Sequence, residues 1–152
     1  MTFGQPYVGT DDTPSLLRKS GLRSMLTQLG WRVQDKPDLD HSAENLLHLY
    51  RKTHPGISVV PEHPDAKNSV LVGAGTQLLS NVVKDTCKAG QFPLVLGGDH
   101  SISLGSLTGV LQVRPDTGIL WIDAHADLHT PSTSETGKFQ LCIFSGSYCF
   151  KF

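Results

Sequence analysis

The sequence predicts an α/β domain built on a mostly parallel sheet, a three-layer α/β/α sandwich that is incomplete within this chain. Three observations predict it. Short apolar runs at residues 92–96 and 118–122 flank a helical pattern at residues 101–111, which gives strand, turn, helix, strand. Both runs are apolar throughout rather than alternating, the pattern of parallel strands covered on both faces. Each run ends in ligand-type side chains, and open parallel sheets bind ligands beyond the C-terminal ends of their strands.

The elements follow in order. Residues 3–12 are rich in Gly, Pro and Asp and read as a loop. Thr13-Pro14 reads as an N-cap with proline at the first helical position. Leu22, Met25, Leu26 and Leu29 then recur at the spacing of a core-facing helix, which Gly30 closes. Trp31-Arg32-Val33 is compatible with a short strand. Residues 40–54 read as a second helix with Leu46, Leu47 and Tyr50 as its apolar positions, ended by His54-Pro55-Gly56. After a loop with Pro61 and Pro64, residues 69–89 form a long helix with Leu71, Leu78, Val82 and Thr86 on one side, stopped by Gly90. The helix at residues 101–111 carries Leu104, Leu107 and Leu111 as its stripe. No internal repeat is present. Residues 138–152 change character: they hold Phe139, Phe144, Tyr148, Phe150, Phe152, Cys142 and Cys149, no acidic group and no clean periodicity.

The bulk properties exclude several function classes. A chain of 152 residues fits one domain and buries a core without disulfides. Net charge is −1 with no long basic run, which argues against nucleic-acid binding or membrane-surface binding by charge. No apolar run approaches the roughly 18 residues that span a bilayer, and the first residues lack the pattern of a signal peptide. Three cysteines, an odd and sparse set, suit a reducing, cytoplasmic setting.

The chemistry concentrates in Gly97-Gly98-Asp99-His100 and Asp123-Ala124-His125-Ala126-Asp127. In extended backbone Asp123, His125 and Asp127 share one face. Two carboxylates aimed at one point repel unless a cation lies between them. The two motifs end strands joined by one crossover helix, so His100 is expected beside them. Carboxylates and imidazoles without thiolate favour Mn²⁺ over structural Zn²⁺. Asp123 is placed to bridge two ions, with His100 and Asp127 on one and His125 on the other. Four ligands are too few to fill two coordination shells. Asp99 reads as a cap for the following helix or an orienter of His100 in preference to a fifth ligand. His129 has two open readings, a group near substrate and an ordinary loop histidine. His41, His48, His54 and His63 receive no role, and Cys87 is an ordinary small apolar helix residue.

These motifs are recognisable. Leu96-Gly97-Gly98-Asp99-His100-Ser101 and Trp121-Ile122-Asp123-Ala124-His125-Ala126-Asp127 resemble the first two metal motifs of the ureohydrolase superfamily. Thr130-Pro131 with Ser132 to Gly137 looks like the arginase substrate loop, and Gly4-Gln5-Pro6, Leu16 to Leu22 and Gln91 to Leu96 are similar to arginase as well. The resemblance covers about residues 4–137 and implies an arginase-like sandwich. It implies hydrolysis of L-arginine to L-ornithine and urea with two Mn²⁺ ions, and His100, Asp123, His125 and Asp127 as their ligands. It further implies His129, Thr130, Ser134 and Thr136 as substrate contacts, no catalytic side chain beyond the metal-activated nucleophile, and a homo-oligomer in the full-length form.

The departures are specific. The family's third metal motif, an Asp-x-Asp pair, is not in this chain. Where the family carries Gly-Asn-x-His-Gly, this chain has Gly137-Lys138-Phe139-Gln140-Leu141. His129 stands where arginases usually carry Asn. The opening strand before Gly4-Gln5-Pro6 is also missing. The expectation is therefore an arginase-like portion over residues 1–137 and a divergent tail over residues 138–152, inactive as this chain. Gly-Lys-Phe is encodable with a splice-donor pattern, so a retained intron or a wrong gene model is the expected origin of the tail. Two other readings compete: agmatinase or another ureohydrolase, and a non-catalytic binding or regulatory fragment.

Overall fold

The computed structural model describes residue 3, residues 9–57 and residues 67–124. A 3-10 turn at Thr10–Asp12 leads into α1 (Thr13–Lys19) and α2 (Leu22–Gln28). Then come α3 (Ala43–Thr53), α4 (Ser69–Lys88) and α5 (Ser101–Leu111).

The stretch expected as one helix before Gly30 is two. Gly21 sits at φ 91°, a left-handed conformation that glycine adopts without penalty, and it separates α1 from α2. The Leu22–Leu29 stripe is also not core-facing, since Met25 is 60% and Leu29 75% exposed. Leu22 and Leu26 are half-buried, and the main helical neighbour of the two-turn α2 is α1.

α3 starts where its capping chemistry puts it. Ser42 Oγ accepts from Asn45 N at 3.3 Å, and Asp40 Oδ1 accepts from Ser42 N at 2.9 Å. Arg51 and Lys52 occupy its last turn, the favourable end for positive charge. Leu46 is fully buried on the side that packs against α4.

α4 and α5 form the centre of the described structure. The bounds of α5 match the sequence reading, but its packed face does not. Ser101, Gly105 and Gly109 are buried, whereas Leu104, Leu107 and Leu111 are only half-buried. A Cβ at Gly109 would lie 2.6 Å from Ser80 O and 2.7 Å from Val83 Cβ. One at Gly105 would lie 2.9 Å from Thr76 O and 3.0 Å from Leu79 Cβ. Both contacts advance in the same direction, so the two helices run parallel. Gln112 Nε2 donates to Ser80 Oγ at 3.4 Å just past the end of α5.

The expected stripe of α4 is corrected in the same way. Val72, Gly75, Leu79, Ser80, Val83, Thr86 and Cys87 are buried, so the inner face is turned by one residue, about 100°. The close approach of Gly105 and Gly109 to Thr76, Leu79, Ser80 and Val83 goes with this rotation. Leu79, Val83 and Cys87 form the core cluster, with Leu39, Val95, Ile102, Val110 and Val113 packed around it.

Among the described residues no strand is assigned, including at 31–33, 94–96 and 118–122. No backbone hydrogen bond joins residues 92–97 to residues 118–122 among them. An apolar strand needs a ladder partner and a covering layer on each face. Here Val95 reaches the core on one side, while Leu94 is 54%, Leu120 84% and Ile122 87% exposed. The expected boundary between residues 137 and 138 lies outside the described residues. No described helix is long and apolar enough to cross a membrane.

Two expectations follow from this packing. Gly109→Val should cost about 1–3 kcal/mol by overpacking. Gly73→Ala, on the exposed side of α4 with nothing within 4 Å of the added Cβ, should gain about 0.4–1 kcal/mol. Urea denaturation of both variants measures this, and equal midpoints would contradict the packing. His41 supplies the second. Burial pushes its imidazole below the ordinary 6.5, and its Nδ1 is buried without a hydrogen-bond partner. The unfolded chain then binds the proton more readily than the folded one. Stability should be highest above pH 6.5 and fall as pH drops through that value towards the lowered folded one. His41→Gln should flatten that slope in denaturation curves across the acid range.

Candidate metal centre

The turn between residue 96 and α5 is shaped by packing before any ligand is considered. A Cβ on Gly97 would run into the Ile102 side chain, with Cγ1 and Cγ2 both at 3.1 Å and Cδ1 closer still. Asp99 is 6% exposed, and its Oδ1 accepts from Ser101 N at 2.9 Å and also from Ser101 Oγ. A carboxylate there satisfies a donor at the start of the helix and favours its positive end. The backbone closes around it: Ile102 N donates to Asp99 O at 3.3 Å and Ser103 N to His100 O at 3.0 Å. Asp99 thus satisfies the first N–H of α5 from one residue outside the N-cap, the position that His100 occupies.

His100 stands between two buried neighbours, with its own side chain 48% exposed. Its Nε2 lies 3.1 Å from Asp123 Oδ2, and the Asp123 side chain is 17% exposed. The indole of Trp121 flanks the imidazole, with ring centroids 6.1 Å apart at 52°. Among the described residues the two motifs thus meet at His100, against Trp121 and Asp123. A carboxylate withdrawn from water beside an imidazole is stabilised by a proton on the ring or by a cation.

Of the remaining site residues, His125, Asp127, His129, Thr130, Ser134 and Thr136 lie outside the described residues. Among the described residues no group of three or more metal-ligand side chains is present, and His100 with Asp123 is a pair. Two residues that shape the site were given no such role by the sequence reading. Trp121 read only as an apolar strand residue. Ser101 was not linked to Asp99, although an Asp two residues before a helix-starting serine is a spacing that can signal a local cap. An open polar recess of about 420 Å³ lies at the start of α3, lined by Asp40, Ser42, Glu44, Asn45, His48 and Arg51, and includes neither His100 nor Asp123.

Comparison with known proteins decides the family. A family model described as the arginase family matches residues 2–148. The chain belongs to the arginase family. It is 38% identical over 144 residues to the arginase of Saccharomyces cerevisiae, covering 93% of this chain and 43% of the yeast protein. The crystal structure of arginase from Bacillus subtilis aligns with a TM-score of 0.72 at 32% identity, over 94% of this chain and 42% of that one. Entamoeba histolytica arginase in complex with L-ornithine aligns with a TM-score of 0.66 at 26% identity, over 93% of this chain and 44% of that one. The chain therefore spans less than half the length of the arginases it matches. Those structures have an α/β fold, which agrees at the level of class with the sequence expectation.

In this arginase-family chain, Gly97 is the residue whose replacement tests the shape of the turn. Gly97→Ala should cost about 1–3 kcal/mol by forcing Ile102 aside. Adding Ile102→Val removes the nearest atom, Cδ1, and should recover part of that loss. A double-mutant cycle by thermal unfolding measures the coupling, and strict additivity would sink the contact.

Proposed function

We propose that this chain contributes to a manganese-dependent hydrolysis of L-arginine to L-ornithine and urea. The observation that carries the reading is the approach of His100 Nε2 to within 3.1 Å of Asp123 Oδ2, from two separate motifs of an arginase-family sequence. The donors suit the ion: an imidazole and a carboxylate, with no thiolate, match Mn²⁺. His100 and Asp123 would hold it, joined by His125 and Asp127 from the same motif. Bound there, a divalent ion supplies the Lewis acidity by which water becomes a competent nucleophile at neutral pH.

The chain's own residues have distinct tasks in this reading. His100 donates a neutral nitrogen, so its other ring nitrogen carries the proton. Asp123 brings negative charge into a partly dry position. Trp121 shields the imidazole on one side. His129, Thr130, Ser134 and Thr136 would contact substrate. That a relative was solved with L-ornithine supports an amino-acid ligand, since ornithine is the product of the proposed reaction. The sandwich architecture belongs to the same proposal, and the parallel course of α4 and α5 supports it, because helices on one face of a parallel sheet run the same way. The division at residue 137, the homo-oligomer and the cytoplasmic setting are likewise proposals.

The chain by itself should not turn over. Four ligands do not fill two coordination shells, and Lys138-Phe139-Gln140-Leu141 offers no titratable imidazole where the sequence pattern of the family has one. Purified chain with Mn²⁺ should therefore bind the ion weakly, and release no urea from arginine or from agmatine. Asp123→Ala should abolish the Mn²⁺ binding that is present. Urea release lost on Asp123→Ala would overturn the inactivity and keep the chemistry. Faster release from agmatine than from arginine would overturn the substrate.

A further inference from the structure

We propose that Asp99 is a positioning residue for His100, acting through Ser101 and not by touching the ion; the inference rests on the metal-centre proposal above.

The geometry separates the two roles within one motif. Asp99 is 6% exposed and Ser101 1%, while the His100 side chain between them is 48% exposed. The Asp99 carboxylate is turned away from the open side and takes both the backbone and the hydroxyl hydrogen of Ser101. Ser101 shares its helix face with Gly105 and Gly109, the face that meets the backbone of α4. The clamp therefore sits on the helix face that packs closely on the backbone of α4. With both neighbours fixed, and with Ser103 N and Oγ both on the His100 carbonyl, the backbone of His100 has little freedom. What remains is rotation of its side chain, which the Asp123 carboxylate and the Trp121 ring limit.

The test separates positioning from ligation by the chemistry of the substituent. Asp99→Asn keeps the oxygen that accepts from Ser101 and loses the charge; Asp99→Ala loses both. Val83→Ala loosens the same helix pair without touching the turn. Mn²⁺ affinity of the full chain is read from the free-ion EPR signal, and the His100 ring is followed by ¹⁵N NMR in the metal-free protein at one fixed pH. Asp99→Ala should weaken Mn²⁺ by about 10–100-fold, the usual loss when a group that orients a ligand is removed. Asp99→Asn and Val83→Ala should stay close to the parent. The His100 ring resonances should move in Asp99→Ala alone. Equal losses in Asp99→Asn and Asp99→Ala would make Asp99 a ligand and overturn the proposal. An equal loss in Val83→Ala would reduce it to general stability and overturn it too. If the parent chain binds no Mn²⁺, the metal-centre reading fails. The ring resonances then judge the clamp, and an unmoved His100 in Asp99→Ala refutes it.

Discussion

The approach of α5 to α4 through a face without side-chain bulk is the constraint on which the rest depends. Gly105 and Gly109 each cost about 0.5–1 kcal/mol in a helix interior relative to alanine. That cost is offset because backbone meets backbone: a methyl group at Gly109 would already stand 2.6 Å from Ser80 O. The approach sets the rotation of both helices about their axes. It places Leu79, Val83 and Cys87 in one cluster and draws Val95 of the preceding segment against it. It also fixes where α5 begins, and α5 begins at the turn that carries His100.

Charge is placed with the same economy. Asp99 is a buried carboxylate at the positive end of a helix, held by two hydrogens of Ser101. The Asp123 backbone is exposed, but its side chain is largely covered and faces an imidazole. Arg18 is different: it lies nearer the surface, holds Asp35 and Asp38 at 3.4 and 2.8 Å, and its guanidinium is pushed up by its hydrogen bond to Asp38. Exposed pairs of that kind contribute little to stability. The two acids near His100 differ because each is withdrawn from water and has a specific donor or cation-seeking partner.

Much of this is legible in the sequence, and each miss has its own physical cause. Helix existence is legible because stops and caps are local: His54-Pro55-Gly56 after α3, Gly90 after α4 and Asp99 before α5 all act within a few residues of themselves. The inward faces of α4 and α5 did not, because apolar periodicity looks for large side chains. Leu104, Leu107 and Leu111 make a convincing stripe, yet the packed face is Ser101, Gly105 and Gly109. Small residues at a spacing of four carry the same helical period, but they score as nothing in a count of apolar positions. The break at Gly21 was missed for the opposite reason: a glycine inside an apolar pattern reads as tolerated until its φ is known. Strands at 94–96 and 118–122 could not be decided locally, since a strand exists only through partners, and none is present among the described residues. At the site, the motif residues were visible by type and spacing. Their meeting is also expected from two segments joined by one crossover helix, and the structure brings His100 Nε2 to 3.1 Å from Asp123 Oδ2.

The motif Gly97-Gly98-Asp99-His100-Ser101 therefore contains two kinds of residue that a pattern match does not separate. Gly97 yields room to Ile102, and Asp99 and Ser101 tie the turn to the helix; none of these needs a ligand to explain it. His100 is the exposed member, and its neighbours are buried on either side. A site built this way is arranged by packing before it is filled. The donor atoms then need few degrees of freedom to reach a common point, which is what lowers the cost of gathering like-charged carboxylates around one position. The same logic explains why the second motif depends on the first. Asp123 follows a segment whose Leu120 and Ile122 are exposed in the described structure, so that segment has little packing of its own. Trp121 and Asp123 of that segment both lie against His100, the residue that precedes α5. Order at the centre thus runs from the glycine face of α5, through Asp99 and Ser101, to His100, and from there to Asp123.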